Sequence, residues 1–456
     1  MATTAPPAAP APDVSGQPRP SFAELHYDEL LACVHCGFCL SSCPTYVELG
    51  QEPDSPRGRI YLIKALADGQ IPLTDSVTVH LSRCLACRAC ETACPAGVNY
   101  GHLIEAAKAE IERQHPGGWA RRLVRHIALT RLLPSRRGLG ALAAGLRLYQ
   151  RSGLQALVRR TGLLRALPAT LRAAEALLPP LPPRAARGRL PEVVPAEGRT
   201  RDRVGFLQGC VQDVVFRDHN EATLRCLTRQ GAEVVIPRAQ ECCGALHAHA
   251  GDPARARAHA RANIAAFETG GLEAVLVNAA GCGAHLKGYG HLLQADPVWA
   301  DRARAFAARV QDVTEFLAAR PLVGPLGPVR LRATYHDPCH LAHGQRVRDA
   351  PRAVLGAIPG LELVELPESE LCCGSAGIYN LTEPELAGRL LARKVRHIRA
   401  TGAEAVVTAN PGCILQIAAG LRAAGPPIAV LHVVELLDRA YRAAGASTPG
   451  PRGEAP

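Results

Sequence analysis

The sequence predicts a multidomain α plus α/β protein: a helical, ferredoxin-like N-terminal domain, then tandem parallel α/β modules. Three observations predict it. Cys33-x-x-Cys36-x-x-Cys39-x-x-x-Cys43-Pro44 recurs as Cys84-x-x-Cys87-x-x-Cys90-x-x-x-Cys94-Pro95, each cysteine 51 residues after its counterpart. Beyond residue 200, short apolar runs of strand type alternate with helical stretches, twice over and in the same order. The length, 456 residues, suits about three domains of roughly 150 residues.

In order, residues 1–20 are Pro- and Ala-rich without periodicity and read as a disordered tail, as do residues 441–456. Residues 21–118 form the domain of the paired runs. Between them, Ser55-Pro56 caps a helix to about Asp68, with Ile60, Ile63, Leu66 and Ala67 on one face. A second helix is expected from Tyr100 to Arg113.

A single CxxCxxC could hold zinc. Two full runs at one offset instead form the bacterial ferredoxin pattern, and two [4Fe-4S] clusters are expected. The last cysteine of each run crosses over in that pattern. Cys33, Cys36, Cys39 and Cys94 would hold one cluster, and Cys84, Cys87, Cys90 and Cys43 the other.

Residues 119–200 change character. The stretch 119–190 holds fifteen Arg, no Lys and one acid, Glu175, for a net charge of +14 against +11 for the whole chain. Leu and Ala interleave at helical spacing up to a stiff linker, Leu178-Pro-Pro-Leu-Pro-Pro183. Solvated surface helices are one reading. The other is a docking face for an acidic partner or for anionic lipid headgroups. Nucleic acid is not expected, because no binding motif or aromatic platform accompanies the charge.

Residues 201–325 and 326–440 are the two modules. In the first, strands near 204–210, 233–237 and 274–278 lead to Cys210, Cys242-Cys243-Gly244 and Cys282. In the second, strands near 331–339, 361–366 and 405–410 lead to Cys339, Cys372-Cys373-Gly374 and Cys413. The offsets are 129 to 131 residues. Helices are expected at about 217–230, 253–269, 346–357 and 383–401. Open α/β sheets place their sites at the carboxyl ends of strands, where these cysteines fall. Each set of four is a candidate metal site for zinc or a further iron–sulfur cluster; a redox-active dithiol uses the same groups. His285, His336, His340 and His343 lie nearby and are expected as hydrogen-bonding neighbours. Cys226 stands alone and reads as a buried structural thiol.

Seventeen cysteines without a signal-peptide pattern suit reduced thiolates in a cytoplasmic protein better than a secreted disulfide scaffold. No stretch of 18 residues is uniformly apolar. CxxCH is absent and the sole Met is Met1, which excludes covalent c-type and His/Met-ligated haem. No dinucleotide fingerprint occurs; Gly138-x-Gly140-x-x-x-x-Gly145 has the wrong spacing.

Several stretches together resemble the iron–sulfur subunit of bacterial glycolate oxidase (glycolate dehydrogenase). They are Cys33-Val-His-Cys-Gly-Phe-Cys39, Ser55-Pro-Arg-Gly-Arg-Ile60, Asn278-Ala-Ala-Gly-Cys-Gly-Ala-His285, His336-Asp-Pro-Cys-His340 and Asn410-Pro-Gly-Cys413. The resemblance spans roughly residues 21–440. It implies an electron-transfer subunit without a catalytic residue of its own. Electrons would pass from a flavoprotein (FAD) partner, which oxidises glycolate to glyoxylate, toward quinone. The location would be cytoplasmic or peripheral on the inner face of the membrane.

Similar layouts occur in iron–sulfur subunits of lactate and glycerol-3-phosphate dehydrogenase systems. The modules also resemble those of heterodisulfide reductase, which makes a thiol–disulfide reductase an alternative. That family uses a further cysteine three residues after the last one; here those positions are His285 and Gln416.

Overall fold

A computed structural model describes residues 22–132, 135–166, 168–179, 189–268 and 270–446. The expected tail 1–20, most of 441–456 and most of the Pro-rich linker lie outside the described residues. The chain divides into two units. One runs to Arg122 and includes His247–Pro253; the other takes the rest.

The first unit is helical. Ser55 caps the helix Pro56–Ala67, its hydroxyl accepting from the Gly58 N–H at 3.0 Å. Thr74 does the same for Asp75–Ser82. The helix Tyr100–Gln114 buries Leu103, Ile104, Ala107 and Ile111 against Ile60, Ile63, Leu66 and Leu81. Cys84 and Cys90 join that core.

The 51-residue repeat recurs in the backbone. His35 and Gly37 have φ of 53° and 85°, and their counterparts Ala86 and Arg88 have 52° and 63°. Three of these four carry a Cβ in the left-handed region, at a cost of about 1–3 kcal/mol each.

The second unit holds two α/β modules. The first sheet contains β1 (Val193–Val194), β2 (Asp202–Leu207), β3 (Ala232–Val235), β4 (Ala274–Val277) and β5 (Val310–Asp312), in the order β1-β3-β2-β4-β5. β1 is antiparallel to β3; the remaining pairs are parallel. The second sheet contains β6 (Leu331–Tyr335), β7 (Leu361–Val364), β8 (Ala405–Thr408) and β9 (Ala429–His432), all parallel, in the order β7-β6-β8-β9. Strand order reverses between β2 and β4 and between β6 and β8, which makes a crevice at the carboxyl ends in each module.

Elements of three kinds depart from the sequence expectation. β1, β5 and β9 widen the sheets beyond the three expected strands per module. Residues 441–446, expected in the tail, continue the helix Val433–Ala446, and Tyr441 is buried. The Arg-rich helices are in part docked. Leu139, Ala143 and Arg147 of Arg136–Arg151 are buried, and the Arg422 guanidinium donates to the Ala176 carbonyl at 3.0 Å.

The modules share one core. The helices Arg217–Arg229 and Val433–Ala446 pack together around Leu224, Leu227, Val434 and Leu437. Arg225 donates to both carboxylate oxygens of Asp438 at 2.8 and 2.9 Å. Cys226 is fully buried there, its Sγ 3.7 Å from the Val434 carbonyl, as suits a structural thiol.

Candidate metal and electron-transfer sites

Two cavities form where the paired runs face each other. The larger, about 430 Å³ of empty space counting its open mouth, is lined by Cys33, Cys36, Cys39 and Cys94, with Ile60 and Arg57 in its wall. The smaller, about 290 Å³ of empty space on the same count, is lined by Cys43, Cys84, Cys87 and Cys90, with Arg59 and Tyr100. Cys90 also reaches the larger cavity. Each cavity thus meets three cysteines of one run and the last of the other. No carboxylate is among the lining residues of either. Such a set suits a thiophilic centre such as an iron–sulfur cube and does not suit a hard cation.

The helix Pro56–Ala67 sends two arginines to these cavities. Arg57 donates from Nη1 to the His35 carbonyl at 3.1 Å and from Nε to Glu52 at 2.6 Å. Arg59 is buried. It donates to the His80 carbonyl, to Thr45 Oγ1 and to Asp54 Oδ1, at 2.7, 3.0 and 3.3 Å. Thr45 Oγ1 lies 3.2 Å from Cys43 Sγ, so the guanidinium is connected to one of the smaller cavity's sulfurs. The Tyr100 hydroxyl donates to Cys84 Sγ at 3.6 Å. Burial pushes the Cys39 thiol up to about 11 and raises Cys90 well above the ordinary thiol range. Loading metal here therefore releases protons.

In the second unit each module gathers its four cysteines at the crevice. Cys210 and Cys242 sulfurs are 3.7 Å apart, and Cys243 and Cys282 are 3.3 Å apart. In the second module Cys339 and Cys372 are 3.9 Å apart. Cys373 and Cys413 lie with His336, the ligand atoms of all three within 4.8 Å of one another. The Cys210 and Cys339 thiols are held well above their ordinary range, first by hydrogen bonds to Cys242 and Cys372, then by burial.

The glycine after each cysteine pair is required by its surroundings. Gly244 and Gly374 have φ of 89° and 88°, and a Cβ would lie 3.3 Å from Ala256 and 2.7 Å from the Ala387 carbonyl oxygen.

Other side chains hold these loops in place. Asn263 Nδ2 donates to the Cys242 carbonyl at 3.0 Å, and the Tyr289 hydroxyl donates to the Cys243 carbonyl at 2.7 Å. In the second module Lys394, buried, donates to the carbonyls of Glu368 and Ser369. Burial lowers its ammonium to about 8. Asn263, Tyr289 and Lys394 act through backbone carbonyls and carry no sequence signal of their own.

The modules meet beside their cysteines. Asn410 Oδ1 accepts from the Gly281 N–H, next to Cys282, at 3.1 Å, while its Nδ2 donates to Cys413 Sγ at 3.5 Å. Of the four histidines singled out, His343 is a hydrogen-bonding neighbour, 3.3 Å from the Glu370 carbonyl. His285 sets its ring edge-on to Tyr289 at 5.6 Å. His340 lies near Gly281, its Nδ1 3.6 Å from where a Cβ would sit. His336 alone of the four groups with the module cysteines as a set of ligand atoms among the described residues.

A dicluster-type cysteine unit joined to two cysteine-rich α/β modules defines an iron–sulfur protein of the electron-transfer class. Residues 29–98 match the family described as "4Fe-4S dicluster domain", and residues 204–287 and 333–418 match "Cysteine-rich domain". Residues 120–178, the Arg-rich segment, match "Glycolate oxidase iron-sulfur subunit, linker region". The chain is 43% identical to the "Probable glycolate oxidase iron-sulfur subunit" of Bacillus subtilis, over 90% of this chain and 93% of that one. It is 37% identical to the "Glycolate oxidase iron-sulfur subunit" of Escherichia coli, over 92% and 97%. A "Lactate utilization protein A" of Oceanobacillus iheyensis is 34% identical over 52% of this chain and 96% of its own. The chain belongs to the family of glycolate oxidase iron–sulfur subunits.

Proposed function

We propose that this chain, an iron–sulfur electron-transfer subunit of a glycolate oxidase complex, relays electrons through two [4Fe-4S] clusters in its first unit and a metal centre in each cysteine-rich module. The crossed cysteine sets of the two cavities carry the reading. Cys33, Cys36, Cys39 and Cys94 would hold one cluster; Cys84, Cys87, Cys90 and Cys43 would hold the other. Cys210, Cys242, Cys243 and Cys282, and Cys339, Cys372, Cys373 and Cys413, would hold the module centres, with zinc or iron as the metal.

When bound, such clusters supply one-electron carriers at potentials set by charge, hydrogen bonds and solvent exposure. The chain's own residues control those factors. Arg59 puts a buried positive charge beside the smaller cavity, and Tyr100 offers a hydrogen bond to Cys84. The larger cavity is the more open to solvent: Cys36 is exposed, as are Val34 and Phe38 beside it. That rim is the proposed contact for a flavoprotein partner, which would bring the electrons.

The Arg-rich segment exposes Leu148, Leu154, Leu157, Leu163 and Leu171 among its arginines. Apolar groups set among cations suit an anionic membrane surface. No described helix is long and apolar enough to cross a membrane.

The test is anaerobic reconstitution and co-purification. Reconstituted chain should carry about eight irons in cubes in the first unit. Native purification should yield a flavin-containing partner. A zinc-only first unit, or a chain that is active alone, overturns the reading.

A further inference from the structure

The two modules are not chemically equivalent. His336 follows β6 in the turn to Cys339, and its backbone N–H donates to the Val407 carbonyl at 2.9 Å. The same register in the first module places Leu207 there, three residues before Cys210. Leu207 packs in an apolar cluster with Cys242 and Cys243, as an all-sulfur centre permits. His336 is fully buried, and neither ring nitrogen has a hydrogen-bond partner. The Ser369 carbonyl acts on the ring without a hydrogen bond of ordinary geometry.

A buried imidazole that satisfies neither nitrogen is costly unless something binds it. Its ligand nitrogen lies within 4.8 Å of both the Cys373 and Cys413 sulfurs.

We propose that His336 is a nitrogen ligand of the second module's metal centre, which it shares with Cys373 and Cys413, whereas the first module's centre is bound by sulfur alone. The inference rests on the reading that the second module binds metal. Mixed imidazole and thiolate sets suit zinc and iron. Cys339 and Cys372, 3.9 Å apart, are the remaining sulfur donors.

The test uses the full chain purified without oxygen. Zinc and iron per chain are measured separately, and metal retention is followed against a chelator, for the native protein, Cys373→Ser, His336→Leu and His336→Cys. The metal lost in Cys373→Ser defines the second module's complement. His336→Leu, which reproduces the first module's residue, should weaken retention of that metal by about 10- to 100-fold or more, because even outer-shell losses cost that much. The cubes' absorbance should not change. His336→Cys, which restores a donor, should recover the metal. If Cys373→Ser loses no metal, the underlying reading fails. If it does, but His336→Leu retains metal as the native chain does, or His336→Cys fails to rescue, the ligand assignment alone is overturned.

Discussion

Asn410 accepts a hydrogen bond from the Gly281 N–H, so the loop carrying Cys413 is tied to the loop carrying Cys282 across the boundary between modules. The same amide donates to Cys413 Sγ. Asn410→Ala removes both bonds and should lower stability by about 1–3 kcal/mol. Urea denaturation measures this, and an unchanged midpoint would show that the bridge contributes nothing.

Cys43→Ser should damage the cluster assigned to Cys84, Cys87 and Cys90 and spare the other. Cys94→Ser should do the reverse. Electron paramagnetic resonance of the reduced protein separates the two. Loss confined to the opposite cluster in either variant would refute the crossed arrangement.

Arg59 and Asp54 form a buried ion pair in the first unit. Asp54 is completely buried, and also meets Arg83 at 3.4 Å and His80 at 3.2 Å. Arg59→Leu leaves that carboxylate short of its most buried cation, at a cost of about 3–5 kcal/mol. The variant should melt earlier and lose cluster absorbance faster in air. Native-like melting would mean that Arg83 and His80 suffice.

Acid should weaken the second unit. Burial lowers His219 to about 4, and burial with the nearby His219 lowers His432 to about 3. Glu435, 3.6 Å from His219, does not overcome this. As pH falls below the unfolded value near 6.5, the unfolded chain takes up protons that the folded chain refuses. Stability drops by about 2 kcal/mol per histidine at pH 5. Asp312, raised by burial to about 6, acts the other way and returns about 1.4 kcal/mol. From these three groups alone the loss between pH 7.5 and 5 should be roughly 2–3 kcal/mol, and His336 and His343, also lowered chiefly by burial, deepen it. Chemical denaturation at both values checks it, and a flat profile would contradict it.

The rim of the larger cavity should govern exchange with the partner. Phe38→Glu replaces an exposed aromatic group beside Cys36. It should slow reduction by the proposed flavoprotein partner at least about 10-fold, since aromatic anchors dominate interfaces. Cluster absorbance should be unchanged. Native rates in stopped-flow mixing would place the contact elsewhere.

The cysteines were legible because each set follows a pattern: the runs by their spacing, the module sets by their place after apolar strands. The helix Pro56–Ala67 was legible from its cap. β9 was not, because Ala429-Val-Leu-His432 is short and its first residues are exposed or only half-buried at a sheet edge. The helix end at 441–446 was hidden by small residues that resemble a tail, although Tyr441 anchors it through a short bond from Gln230 at 2.5 Å. Lys394 could not be read at all. In sequence it is one more cation on a helix, and only the fold buries it against the Glu368 and Ser369 carbonyls.

One consequence concerns ancestry. The paired runs match in spacing and in the positions of their left-handed residues, as a duplicated segment would. Yet each cavity is lined by cysteines of both runs, the last cysteine of each lining the cavity of the other. Neither run can therefore complete a cavity on its own, and a change that unfolds one run should cost the unit both sites at once.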